Sequence, residues 1–118
     1  MNRKDVENRL VNFAVGIIKM KEHLDSSFAS EHLFKQLLRS GTSPALNYGE
    51  TQGAESQRDF IHKLSIVLKE LRESNINLKI IKGISVCQKK EFLEKLLDES
   101  NQLIAIIYKS IVSARKKL

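Results

Sequence analysis

Residues 37–50 read LLRSGTSPALNYGE, and three readings compete for them: a phosphate-gripping loop, a linker, or a helix that passes through a glycine and a proline. A Walker-type loop needs GxxxxGK[ST] between a strand and a helix, because backbone N–H groups must converge on the phosphate and a lysine must reach it. Neither the second glycine nor the lysine is present, and no strand pattern precedes the stretch. The linker reading fails on spacing. Leu37, Leu38, Gly41, Ala45 and Tyr48 continue the helical period of the preceding segment straight through the supposed break. The helix is therefore expected to run on. Pro44 would remove one backbone hydrogen bond and press on the Ser40 carbonyl, kinking the helix there, with the Thr42 and Ser43 hydroxyls on freed carbonyls. Gly41 and Ala45, small and one turn apart, would let a neighbouring helix come close.

Working outward, Leu10, Phe13, Ala14, Ile17, Ile18 and Leu24 recur at helical spacing, giving a first helix over about 5–23. The second is placed at 30–53, with Ser30 as its N-cap and Glu31 in its first turn. Phe60, Ile61, Leu64, Val67, Leu68, Leu71, Leu78 and Ile81 carry one apolar stripe along a long third helix, 56–82, with Gly83 at its stop. Phe92, Leu93, Leu96, Leu97, Leu103, Ile104, Ile107 and Ile111 define a fourth, 89–116. Four amphipathic helices with short connections fold most simply as an all-α, antiparallel up-and-down four-helix bundle, here as a single domain over 1–118 with a Pro-kinked second helix.

Composition agrees. The chain has 118 residues, 42% of them hydrophobic and 29% charged, with one proline, five glycines and no tryptophan. That balance suits a folded helical domain rather than a disordered or sheet-rich one. A single Cys87 cannot form an internal disulfide, and His23, His32 and His62 are scattered, so no metal or cofactor is expected and a cytoplasmic setting fits best. The N-terminus lacks the apolar region of a signal peptide, and the longest apolar run, residues 103–108, is far too short to span a membrane.

No catalytic constellation emerges. Glu50, Glu70 and Glu73 suggest a carboxylate site only until the Glu-x-x-His pairs of a di-iron bundle are sought, and there are none. Salt bridges to Arg39 and Arg72 are the expected role. A polar cluster of Arg39 and Asn47 with Glu70 or Glu73 is expected to fix helix register, since buried charge must be paired. His62 belongs at the edge of the third stripe rather than in a base–nucleophile pair, and Cys87 is a lone cysteine in a connection. An enzyme is not expected.

The net charge of +6 is concentrated. Lys79, Lys82, Lys89 and Lys90 occupy a segment without an acid, and so do Lys109, Arg115, Lys116 and Lys117. In an antiparallel bundle the first group would meet Lys19 and Lys21 at one end, and Arg115, Lys116 and Lys117 would meet Arg3, Lys4 and Arg9 at the other. Such clusters suit phosphate binding, although no aromatic residue interleaves with these lysines in sequence.

The segments RLVNFAVGIIKM (9–20), QLLRSGTSPALNYGETQGAESQRDFIHKLSIVLKELRES (36–74) and LIAIIYKSIVSARKK (103–117) strongly resemble the four-helix-bundle family of 23S rRNA intervening-sequence proteins, sometimes labelled ribosomal. The likeness covers essentially the whole chain. It is most specific at Arg39–Ser43, Asn47, Glu50, residues 59–63 and residues 68–73. The resemblance implies a non-catalytic bacterial bundle, encoded within insertions in large-subunit rRNA genes, that assembles as a ring-like homopentamer. A related branch serves as the accessory protein of reverse transcriptases in diversity-generating retroelements, binding nucleic acid and the polymerase. Gly49 stands where members often carry alanine. The expected function is thus a self-associating module that binds RNA, or DNA, through phosphates. The alternative is a protein-interaction adaptor.

Overall fold

Asn2 opens the first helix by accepting from the Asp5 backbone N–H at 2.9 Å, while the Asp5 carboxylate accepts from the Asn2 N–H at 3.0 Å. This reciprocal pair satisfies two of the free donors at a helix start. In the computed structural model, which describes residues 1–118, α1 spans Arg3–Met20, α2 Phe28–Glu50, α3 Gln57–Gly83 and α4 Lys90–Arg115. Short 3₁₀ turns at Lys21–His23 and Thr51–Gly53 extend α1 and α2.

The second helix runs unbroken through Gly41 and Pro44, as the apolar spacing requires. Thr42 Oγ1 donates to the Leu38 carbonyl at 2.7 Å and contacts that of Arg39 at 3.4 Å. These are not the carbonyl that Pro44 frees, which is that of Ser40. Ser43 supplies an acceptor instead of a donor: Asn47 Nδ2 reaches its hydroxyl at 2.8 Å and its carbonyl at 3.0 Å. The helix begins two residues earlier than expected. Ser27, not Ser30, is the N-cap, and it accepts from the Ser30 N–H at 3.2 Å. The Ser30 side chain is buried and is held by Asp25 at 2.6 Å. Leu38 and Ile18, assigned inward from spacing, are exposed: Leu38 at the margin of its stripe, Ile18 on the outward side of α1.

Each helix packs antiparallel on the next, α1 on α2, α2 on α3 and α3 on α4, while α1 closes the bundle on α4 through a smaller contact. At one end the α1–α2 and α3–α4 connections are tied by a bridge between Leu24 and Cys87. Asp25 N donates there to Val86 O at 3.0 Å, and Gln88 N to His23 O at 2.7 Å. The turn after α3 reaches its positive φ of 56° at Ser85, whereas Gly83 itself remains helical.

Leu10, Phe13, Ile17, Leu37, Leu64, Leu71, Leu78, Leu103 and Ile107 fill the centre. Among them lies a seam of small polar groups. Ser74 Oγ meets Ser40 Oγ at 3.0 Å, and Asn75 Nδ2 reaches Ser100 Oγ at 2.8 Å. Asn77 Nδ2 donates to the Leu33 carbonyl at 3.1 Å. These bonds pair α2 with α3 and α3 with α4 in one register, because a slip would strand buried polar atoms.

Gly41 faces Ile17, and a Cβ built there would lie 2.7 Å from Ile17 Cγ1 and 2.9 Å from Cγ2. Ile17 is fully buried and β-branched, so it has nowhere to yield. Gly41→Ala should therefore destabilise the fold by about 1–2 kcal/mol, the overpacking outweighing a gain in helix propensity of about 1 kcal/mol. Gly49 has open space around it, so Gly49→Ala should stabilise by about 0.5–1 kcal/mol. Thermal unfolding of the two variants should move the midpoint in opposite directions.

Candidate nucleic-acid interface

Arg39 leaves the outward side of α2 and reaches across to α3, donating to Glu70 at 3.0 Å and to Glu73 at 2.7 Å. Glu70 is the buried partner, its side chain 9% exposed against 62% for Arg39. The two carboxylates raise the Arg39 pKa above the ordinary guanidinium value, the hydrogen bond to Glu73 contributing most. Asn47 takes no part in this cluster, contrary to the expectation from sequence. Its amide is spent on Ser43, one turn back on the same helix.

The Arg39 pair borders an open groove of about 950 Å³ that runs along the outer face of α3. Lys69, Arg72, Ile76 and Ile80 of α3 line it, with Gln36 on the α2 side and Tyr108 and Arg115 on the α4 side. Ile76, Ile80 and Tyr108 are all exposed. Asn77 lies at the groove's floor, and its Oδ1 is buried without a hydrogen-bond partner.

Of the first lysine group, Lys79, Lys89 and Lys90 are exposed and free of acids. Lys82 is not: the fold brings Glu94 to 2.6 Å from its Nζ, a pairing that the acid-free run of sequence conceals. Lys89 and Lys90 sit in and beside the connection tied to the α1–α2 turn, so this end of the bundle also gathers Lys21.

The second group is thinner than expected. Arg3 donates to Thr51 Oγ1 at 2.7 Å and to the Tyr48 carbonyl at 3.0 Å, with its guanidinium 4.6 Å from the Tyr48 ring centre, and so caps the end of α2. Burial raises the Tyr48 pKa, and Arg3 acts in the opposite direction. Arg9 binds Glu99 and Gln102 across the α1–α4 contact, and its pKa is raised mainly by the Glu99 hydrogen bond. Neither arginine is available to a ligand. Arg115 turns to the α3 groove, and Lys117 joins Lys109 beside Met1 and Gln57.

Cys87 is buried, its thiol directed to the Lys89 carbonyl at 3.4 Å, and His62 is exposed on α3. No group of three or more His, Cys, Asp or Glu side chains converges as metal ligands would, and no helix is long and apolar enough to cross a membrane. Sequence reading missed the outward apolar residues. Val11, Val15 and Ile18 form an exposed stripe on α1, and Phe28 stands exposed at the start of α2. The α1 stripe was visible as a second apolar periodicity opposite the first.

An antiparallel four-helix bundle with cationic surfaces and exposed apolar helix faces defines the class. Within that class, the model of the 23S rRNA-intervening sequence protein family matches residues 3–109, and the chain belongs to this family. It is also similar to the crystal structure of a protein of unknown function of the S23 ribosomal protein family from Bacteroides thetaiotaomicron. The TM-score is 0.84 and the identity 31%, over 94% of this chain and 98% of that one. No curated protein matches it.

Removing Arg39 strands the buried Glu70 carboxylate, whereas removing Glu73 does not. Arg39→Ala and Glu70→Ala should each lower the melting temperature more than Glu73→Ala. Arg39→Ala should matter much less in a Glu70→Leu background, where no buried charge is left unpaired. A double-mutant cycle followed by thermal unfolding measures both effects.

Proposed function

We propose that the protein is a non-catalytic module that assembles with copies of itself into a ring, five subunits being the favoured number, and binds RNA through its phosphates. The observation that carries this reading is a pair of unlike, unpartnered faces on two helices that are not neighbours around the bundle. One is the Val11, Val15 and Ile18 stripe on α1; the other is the α3 groove with Ile76, Ile80 and Tyr108. In the cyclic order of the bundle, α1 and α3 are diagonal, so the two faces point away from each other. A contact between unlike faces on opposite sides is heterologous, and it closes into a ring when the rotation per subunit divides a full turn.

A ring repeats each basic surface once per subunit. Lys79, Lys89 and Lys90 at one end, with Lys109, Lys116 and Lys117 toward the other, then become bands of positive charge. Affinity for a phosphate backbone grows with the number of phosphates neutralised. Lys82, paired with Glu94, and Arg115, turned into the groove, contribute less to those bands. Family membership supports RNA as the ligand class, with DNA bound by the same contacts, and a cytoplasmic bacterial setting.

The second reading is an adaptor for an enzyme such as a reverse transcriptase, and the α3 groove is what favours it. Apolar Ile76, Ile80 and Tyr108 flanked by Lys69, Arg72 and Arg115 suit an acidic amphipathic helix if no second copy covers them.

Light scattering should give a mass several times the 13.5 kDa of one chain. Val15→Asp and Ile76→Asp, each at one of the two faces, should both reduce it to a monomer. A wild-type monomer excludes the ring.

RNA affinity should be nearly independent of sequence and fall steeply with salt, because bound phosphates release their counterions. Replacing Lys79, Lys89 and Lys90 together by Gln should reduce the slope of log affinity against log salt by roughly 0.7 for each phosphate of a single strand that a subunit no longer neutralises. An affinity that persists at high salt, or no RNA binding at low salt, would favour the adaptor.

A further inference from the structure

Phe28 is 87% exposed, the most exposed aromatic side chain in the protein. It occupies the first position of α2, where nothing about helix initiation calls for an aromatic residue. Unlike Val11 or Ile76, it belongs to neither of the apolar faces assigned above. A single exposed apolar side chain needs no explanation, but Phe28 does not stand alone: the exposed Leu38 and the Phe34 ring line one cleft with it, alongside Lys21 and Lys35.

The support is rigid. Asp25 accepts from the Ser27 N–H at 3.0 Å and from the Ser30 hydroxyl at 2.6 Å, and the Ser27 hydroxyl first, then that of Ser30, then the Ser27 N–H hold its carboxyl below the usual carboxylate range. The same Asp25 is tied through its own N–H to Val86 in the α3–α4 connection. Phe28 therefore projects from a turn anchored at both its cap and its neighbouring loop.

Phe28 forms one wall of a shallow cleft of about 600 Å³, in which Lys21, His32 and Lys35 stand beside the Phe34 ring. Lys21 Nζ is 5.5 Å from the centre of that ring, which keeps the cation at the cleft. Glu31 also lines the cleft, on the first turn of α2. The chain segments that carry Lys89 and Lys90 reach the same end of the bundle through the Leu24–Cys87 bridge. Exposed ring and flanking lysines, separated in sequence, are thus brought together by the fold.

Resting on the phosphate-binding reading, we infer that Phe28 is a stacking platform for an unpaired nucleobase, with Lys21 and Lys35 on the adjoining phosphates. The ligand is single-stranded nucleic acid, because a base inside a duplex offers its edge but not its face. Stacking on an aromatic face tolerates any base, so the site adds strand preference without sequence preference.

The protein has no tryptophan, so Phe28→Trp places the sole indole at the platform. Titrating this full-length variant with a single-stranded oligoadenylate should quench its emission. An abasic phosphodiester of equal length, shown to bind by anisotropy, should not. In the otherwise wild-type chain, Phe28→Ala should weaken oligoadenylate binding about tenfold and leave abasic binding unchanged. Unquenched emission while the oligoadenylate is bound, or equal affinity of wild type and Phe28→Ala, overturns the inference and leaves the phosphate reading intact. If wild type binds neither polymer at low salt, both fall. If Phe28→Asp lowers the assembly's mass in light scattering, the aromatic ring serves a contact between copies and the inference is overturned.

Discussion

Everything in this bundle depends on how closely α2 can approach its two neighbours at Ser40 and Gly41. Successive residues on a helix face different directions, and here each admits a different partner. Gly41 lets Ile17 of α1 into the space its missing Cβ leaves, while Ser40 meets Ser74 of α3 hydroxyl to hydroxyl at 3.0 Å. A larger side chain at either position would push one helix off, and the leucines behind it would be pulled away from the rest of the core. Pro44, one turn further on, is itself buried, and it removes a donor from the helix. The carbonyls around it are partly occupied by Thr42 and Asn47, so the helix survives.

Electrostatics follows from that packing more than from the sequence order of charges. Once the helices are fixed in register, Arg39 falls opposite Glu70 and Glu73, Arg9 opposite Glu99, and Lys82 opposite Glu94. Cations so placed hold helices together. Those left over, among them Lys79, Lys89, Lys90 and Lys117, lie toward the ends and on the outer faces, where a polyanion has access. Sorting the charges by what lies across from them separates structure from binding better than counting them does.

Much of this was legible in the residues themselves. The apolar stripes gave four helices, and the uninterrupted spacing from Leu37 to Tyr48 carried the second one through its glycine and proline. The pairing of Arg39 with Glu70 or Glu73 was legible too, because a charged side chain beside an apolar stripe must be paired if it is buried. What was hidden depends on distance in space. An acid-free run cannot reveal that Lys82 meets Glu94 across a turn, or that Arg3 folds back onto the end of α2. Asn47 was misplaced because a short amide prefers the nearest carbonyl on its own helix to a partner on the next. Ser27 and Ser30 are both good caps by type. Which one serves was decided by Asp25, whose carboxylate holds Ser30 inside the turn. Phe28 carried no periodic signal at all, and only its exposure marks it.

The bridge between Leu24 and Cys87 gives the bundle a mechanical polarity. Both chain termini lie at the opposite end, and the contact that joins the first and last helices is the smallest of the four around the bundle. A load applied between the termini would act on that seam as fingers act on a clothes-peg, prising α1 from α4 from the free end while the bridged loops serve as the pivot. The ion pair of Arg9 with Glu99 is the latch nearest the jaws. Pulling on the two ends would therefore unzip this molecule bond by bond, where the same force directed along the helix axes from opposite ends would have to shear whole faces at once.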